Sequence, residues 1–270
     1  MPEEVFWEER GIYYRFTRRF SERPVLLFIH GLLGSSSAWR RFEEEFGDRY
    51  DFVSIDLPGY GKSRKPLAYD AYDIEALARE VDAVLSRIGV EAYIPVASSS
   101  GTLVALALTR MRPRGVRAAV FLSPVYGIRS NPLTRASRSV VRTASRLMKY
   151  IRHTSDPGEH VDYRKYETTG DWSVRRLAVD VPETTLRVYL AVLDQVYATD
   201  RDHWWRELSV PSLIVHGDKD TISPVRTAYA LNSTLENSRL VIIPGGNHVI
   251  PLNRFEDVRQ AMETFFADLG

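Results

Sequence analysis

Three separated segments hold the residue types of nucleophilic acyl chemistry. The first is Val96-Ala97-Ser98-Ser99-Ser100-Gly101-Thr102-Leu103-Val104-Ala105. A serine with small residues two before and two after suits a sharp strand-to-helix turn, where larger side chains would strike neighbouring backbone. Ser99 is the centred candidate, although a Ser-Ser-Ser-Gly run alone is more often a polar loop or helix cap. A serine hydroxyl is a poor nucleophile at neutral pH and needs a base, normally a histidine oriented by a carboxylate. His216-Gly217-Asp218-Lys219-Asp220 supplies two carboxylates, Asp218 and Asp220, and Ile243-Pro244-Gly245-Gly246-Asn247-His248 supplies the imidazole of His248. Negative charge that develops on a carbonyl oxygen must also be met by backbone N–H groups. His30-Gly31-Leu32-Leu33-Gly34 offers a glycine-flanked turn for this, and the two donors are assigned to Leu32 and Ser100.

These segments do chemistry together only if the fold puts them at one edge. Each follows an apolar run that reads as a buried strand: Val25 to Ile29, Tyr93 to Ala97, Ser212 to Val215 and Leu240 to Ile243. Short strands are expected near Val5 to Glu8 and Ile12 to Phe16, and further ones at Asp51 to Ile55 and Val116 to Leu122. Between them lie helical patterns at Ser35 to Phe46, Asp73 to Ile88 and Thr102 to Met111. The alternation predicts an α/β fold, a mostly parallel eight-stranded sheet with helices on both faces and right-handed crossovers. Ligands of open sheets of this type bind beyond the carboxyl ends of the strands, where all four segments fall. From Val125 to Leu208 no buried-strand run occurs. Residues 1–124 and 209–270 therefore read as the core domain, with 125–208 inserted as a helical cap.

Composition narrows the function classes. With 270 residues, 44% apolar and 26% charged, the chain is an ordinary globular one. Thirty-six basic against thirty-five acidic residues leave a net charge of +1, which provides no field for nucleic-acid binding. The absence of cysteine removes thiolate catalysis, disulfides and cysteine metal sites, and fits a reducing compartment. No apolar run approaches the roughly 18 residues of a membrane span, and the acidic start is unlike a signal peptide. The expected location is the cytoplasm. The six histidines show no pair at helical ligand spacing, so no metal site is expected. Gly59-Tyr60-Gly61-Lys62-Ser63 lacks the spacing of a phosphate loop. Arginine outnumbers lysine 31 to 5 and glutamine occurs twice; the scarcity of glutamine and the absence of cysteine are consistent with a thermostable protein.

Taken together, His30-Gly31-Leu32-Leu33-Gly34, Asp56-Leu57-Pro58-Gly59-Tyr60-Gly61-Lys62-Ser63, the turn at Ser99, Gly217-Asp218-Lys219-Asp220 and Gly246-Asn247-His248 resemble the α/β-hydrolase family over nearly the whole chain. The resemblance implies a catalytic triad of Ser99, Asp220 and His248 and no cofactor. It selects Asp220 over Asp218, because the family's acid usually lies three residues beyond the glycine that ends the strand. It also makes Asp56 and its turn a structural buttress. Two departures stand out: Ala97 and Thr102 occupy positions where the family usually or often has glycine. Serine at the nucleophile position argues against the aspartate-dependent dehalogenases and epoxide hydrolases.

The implied reaction is cleavage of a carboxylic ester through an acyl-enzyme on Ser99. The substrate would be a small, mainly apolar ester, in the manner of a carboxylesterase or an acylglycerol lipase. Carbon-carbon bond hydrolysis and acyl transfer use the same parts, and a ligand receptor with little turnover is the alternative from another class. Tyr126, Trp204 and Trp205 are the expected substrate-binding residues of the cap, with Leu133, Trp172, Tyr189, Leu193 and Tyr197 as further apolar candidates. Arg129 to Arg152 holds seven basic residues and no acidic one, with Leu133, Ala136, Val140, Ala144, Leu147 and Ile151 at helical spacing. This predicts a basic amphipathic helix. It is either a lid that contacts anionic lipid or substrate, or a cap helix with a solvated basic face.

Overall fold

The computed structural model describes residues 2–19, 23–127, 132–148, 150–151, 154–166, 168–198 and 201–269. Eight strands form one sheet: β1 (Glu3–Trp7), β2 (Ile12–Phe16), β3 (Val25–Ile29), β4 (Phe52–Ile55), β5 (Tyr93–Ser98), β6 (Ala119–Leu122), β7 (Ser212–Gly217) and β8 (Ser238–Ile243). Their spatial order is β1-β2-β4-β3-β5-β6-β7-β8. The first three in that order pair antiparallel and the remainder parallel.

The apolar run of β3 is unbroken because both of its faces are covered. Leu27 and Ile29 join a core cluster with α2 (Ile74–Arg87) and α3 (Gly101–Met111), whereas Leu26 and Phe28 join one with α1 (Arg40–Phe46) and α10 (Phe255–Asp268). In α2, Ile74, Leu77, Ala78, Val81, Val84 and Leu85 are buried, the stripe that its 3.6-residue period requires.

The sixth strand is shorter than its apolar run. Val116 makes only an isolated bridge with Tyr93, and the ladder starts afresh with Val120 opposite Val96. One residue is gained on the β6 side between these pairs. Pro95 lies in the gap and has no N–H to give to a ladder, which accounts for the break.

Between β6 and β7 the chain forms α4 (Pro132–Met148), α5 (Val174–Thr184), α6 (Leu186–Ala198) and α7 (Asp202–Arg206). Helices α8 (Val225–Thr234) and α9 (Ile250–Asn253) follow β7 and β8. Among the described residues no helix is long and apolar enough to cross a membrane.

The first turn of α3 runs against the backbone that follows β3. A β-carbon at Gly101 would overlap the His30 carbonyl oxygen. Gly101→Ala is expected to lower the melting temperature, even though alanine favours an isolated helix by about 1 kcal/mol. Thermal unfolding followed by circular dichroism checks this, and an unchanged or raised midpoint would show that the two backbones separate without cost.

Candidate active site

Ser99 stands in the turn between β5 and α3 with φ of 51°, a left-handed conformation that costs a residue with a side chain roughly 1–2 kcal/mol. Several bonds hold the turn. The Ser99 N–H donates to Leu122 O at 2.9 Å, while Ser99 O accepts from the Thr102 N–H at 3.0 Å and the Thr102 hydroxyl at 2.6 Å. Thr102, which stands where the family often has glycine, thus fastens the turn. Ala97 is fully buried within β5, paired with Ile29 and Phe121, so its methyl is accommodated in the sheet.

The imidazole of His248 bridges two of the predicted partners. Its Nε2 lies 2.8 Å from Ser99 Oγ and its Nδ1 2.7 Å from Asp220 Oδ2. A carboxylate only accepts, so Nδ1 carries the proton and Nε2 is left to accept from the serine hydroxyl. Asp220 is fixed by N–H groups of its own loop, with Oδ1 accepting from Ile222 at 2.9 Å and Ser223 at 2.7 Å. Asp218 is placed elsewhere: its carboxylate accepts the Gly245 N–H at 2.7 Å and ties the β7 turn to the β8 turn.

Of the two expected oxyanion donors, Leu32 and Ser100, one N–H is engaged among the described residues and the other is not. The Leu32 N–H is not free but donates to Ser100 Oγ at 2.8 Å. The Ser100 N–H has no acceptor among the described residues. The turn after β3 is shaped by His30, whose Nε2 accepts from the Leu57 N–H at 3.1 Å and whose Nδ1 lies 2.9 Å from Gly31 O. Burial lowers the pKa of His30, keeping it neutral in this role.

Two residues that the sequence did not single out complete the surroundings of His248. Asp171, from the segment between β6 and β7, accepts the His248 N–H at 2.7 Å through Oδ1. Its Oδ2 accepts from the Thr221 N–H at 2.9 Å and the Thr221 hydroxyl at 2.7 Å. One buried carboxylate therefore clamps the backbone beside both the acid and the base. His216 lies behind the acid, with Nε2 donating to Ser223 O at 2.7 Å and standing 3.3 Å from Asp220 Oδ2. Burial lowers its pKa as well. No local pattern marks Asp171, because the partners of its carboxylate are fifty or more residues away.

Ser99, Ser100, Leu32 and His248 open into a cavity of about 720 Å³. Tyr126, Trp172, Tyr189, Leu193 and Tyr197, from the segment between β6 and β7, line it. Trp204 and Trp205 do not. Trp205 is fully buried, edge-on to Phe121 with ring centroids 4.8 Å apart, and Trp204 is buried beneath the guanidinium groups of Arg110 and Arg201. Their indoles are spent on joining α7 to the sheet core, and the expectation that they touch substrate is overturned. The side chain of Leu133 lies outside the described residues. Asp56, read as a buttress, is buried and accepts from the Ser36 N–H, the Lys62 N–H and His160 Nε2, at 2.7, 2.8 and 2.7 Å.

A model of the alpha/beta hydrolase fold matches residues 24–255. The chain belongs to the α/β-hydrolase family. An uncharacterized protein of Mycobacterium tuberculosis is 26% identical over 87% of this chain and 73% of its own length. A probable lysophospholipase of Arabidopsis thaliana, BODYGUARD 2, is 25% identical over 89% of this chain but only 58% of its own. Among solved structures, a thermophilic esterase from Thermogutta terrifontis superposes with a TM-score of 0.70 at 19% identity, covering 100% of this chain and 99% of its own. Membership and relatives support a hydrolase.

One cavity wall of this α/β hydrolase is charged. Arg176 Nε is 3.5 Å from Asp180 Oδ2, and both residues are buried. Burial pushes the Asp180 pKa up to about 7, although the Arg176 guanidinium opposes it. The folded state thus binds this proton more tightly than the unfolded chain, so the group's contribution to stability falls as pH rises from about 4 to about 7. Asp180→Asn is expected to raise the melting temperature more at pH 8 than at pH 5. Calorimetry at the two pH values checks this, and an equal shift at both would show that the carboxyl titrates normally.

Proposed function

We propose that this α/β hydrolase cleaves small, mainly apolar carboxylic esters through an acyl-enzyme on Ser99, with residues 125–208 serving as a cap over the substrate. The observation that carries the reading is the continuous chain of contacts from Ser99 Oγ through both nitrogens of His248 to Asp220, at 2.8 and 2.7 Å, opening into the cavity. Ser99 Oγ attacks the ester carbonyl while its proton passes to His248 Nε2, and Asp220 stabilises the imidazolium through Nδ1–H. Collapse of the tetrahedral intermediate expels the alcohol, which takes the proton from Nε2. Water activated by the same nitrogen then releases the acid.

The oxyanion in this mechanism is met by the Ser100 N–H and by the Ser100 hydroxyl. That hydroxyl accepts from Leu32 N–H and has its own proton left to donate, so Leu32 acts through it. The aromatic and apolar lining of the cavity supports an apolar acyl or alcohol group.

Two measurements test the reading. Ser99→Ala should abolish both labelling by a fluorophosphonate probe and turnover across p-nitrophenyl esters of increasing chain length. Labelling that survives would remove Ser99 from its role, and a labelled wild type without ester turnover would favour carbon-carbon cleavage or a receptor. Ser100→Ala should lower kcat about 100-fold with KM little changed, as loss of one oxyanion donor does. A rise in kcat would mean instead that the hydroxyl obstructs the Leu32 N–H.

A further inference from the structure

Helix α4, in the segment between β6 and β7, presents an apolar row to solvent. The sequence pattern puts Val140, Ala144, Leu147 and Ile151 on one stripe, which would ordinarily turn inward. In the fold it does not. Helix α4 lies against α6 and buries Ser145, with Val141 and Met148 half-buried, while Val140 is 70% and Leu147 55% exposed. Just beyond the helix, Tyr150 and Ile151 are 76% and 52% exposed.

A second row runs parallel to the first. Arg142 and Arg146, one helical turn apart, are exposed and form no ion pair with a carboxylate among the described residues. Ser139 and Thr143 lie between the rows, so a flat surface approaching the helix meets apolar side chains along one edge and guanidinium groups along the other. From residue 129 to 152 the chain has seven basic residues and no acidic one.

We propose that this face of α4 docks on the surface of a lipid bilayer that carries anionic headgroups. The apolar row would enter the boundary between headgroups and acyl chains, and the arginines would reach headgroup phosphates with their aliphatic stems laid along the interface. Charge complementarity selects this occupant. Two copies joined symmetrically through the face would set arginine against arginine with no acidic residue to relieve them. A nucleic acid would leave the apolar row unused. Docking here would set the cap against a source of apolar esters, since α6, on which α4 packs, contributes Tyr189, Leu193, Val196 and Tyr197 to the cavity wall. The inference adds to the ester-hydrolase reading without depending on it.

The test uses the full chain with Ser99→Ala, so that no lipid is hydrolysed. The protein is sedimented with vesicles of phosphatidylcholine alone and of phosphatidylcholine mixed with phosphatidylglycerol. It should partition onto the mixed vesicles at least about tenfold more strongly, and raised salt should release it. Val140→Ser with Leu147→Ser, and separately Arg142→Gln with Arg146→Gln, should each weaken partitioning about tenfold or more at unchanged melting temperature, since all four side chains are exposed. Three results would overturn the proposal: no sedimentation with the mixed vesicles, equal binding to both kinds, or binding that neither double variant alters. Concentration-dependent dimerisation abolished by the same variants would assign the face to a second copy instead. The esterase assay of the wild type is separate, so failure of one reading leaves the other standing.

Discussion

Two turns at the carboxyl end of the sheet touch backbone to backbone, and the geometry of the candidate site depends on that contact. A β-carbon at Gly217 would overlap the carbonyl of Gly246, so the turns that follow β7 and β8 approach more closely than side chains allow. The Asp218 N–H donates to Ile243 O at 3.2 Å and the Lys219 N–H to Gly246 O at 2.8 Å. The Gly245 N–H donates to the carboxylate of Asp218. Parallel strands β7 and β8 set the register below, and the joined turns carry it to Asp220 and His248 above. Twenty-eight residues separate that acid from that base, yet their side chains meet at hydrogen-bond distance. Gly101 does the corresponding work between the turn after β3 and the start of α3, bringing Leu32 beside Ser100.

Hydrogen bonding then removes the remaining freedom. Asp220 uses one oxygen for two backbone N–H groups and the other for the imidazole, with His216 behind it, so its carboxylate has little room to rotate. The imidazole is correspondingly confined to one tautomer and one direction, which is what a base aimed at a single hydroxyl requires. Asp171 makes the inserted segment part of this scaffold. By accepting from the backbone of His248 and from Thr221, next to Asp220, it couples the placement of the segment between β6 and β7 to that of His248. Movement of the one without the other would break three hydrogen bonds to a carboxylate, each worth about 1–3 kcal/mol.

The inserted segment is also where polar groups are least well satisfied. Arg176 Nη1 and Asp180 Oδ1 are buried without partners, and the pair they belong to is held only at 3.5 Å. Desolvation of both charges outweighs so loose an attraction, which is why the carboxyl stays protonated to unusually high pH. By contrast strands β3 to β7 are buried on both faces, and the buried charges of Asp56 and of the Arg15–Glu43 pair are well hydrogen-bonded. The loosely held Arg176–Asp180 pair thus lines the cavity, whereas the well-paired charges of Asp56 and Arg15–Glu43 lie outside its lining.

By itself the sequence determined the order and type of the elements, because double-sided burial leaves unbroken apolar runs and single-sided burial leaves a helical stripe. The central strands, α2 and the positions of Ser99, Asp220 and His248 at strand ends were readable in this way, with the choice of Asp220 over Asp218 resting on family resemblance. What it left open was decided by contacts between distant residues. Trp204 and Trp205 are apolar aromatics wherever they go, and only packing sends them into the core instead of the cavity. The stripe of α4 is the same in any fold, and only the arrangement of α4 on α6 turns it to solvent. Asp171, the Ser100 hydroxyl on Leu32 and the shift of register at Pro95 likewise have no local signature. Periodicity and turn chemistry are written in neighbouring residues, whereas hydrogen-bond partners fifty or more positions apart exist only after the chain has closed on itself.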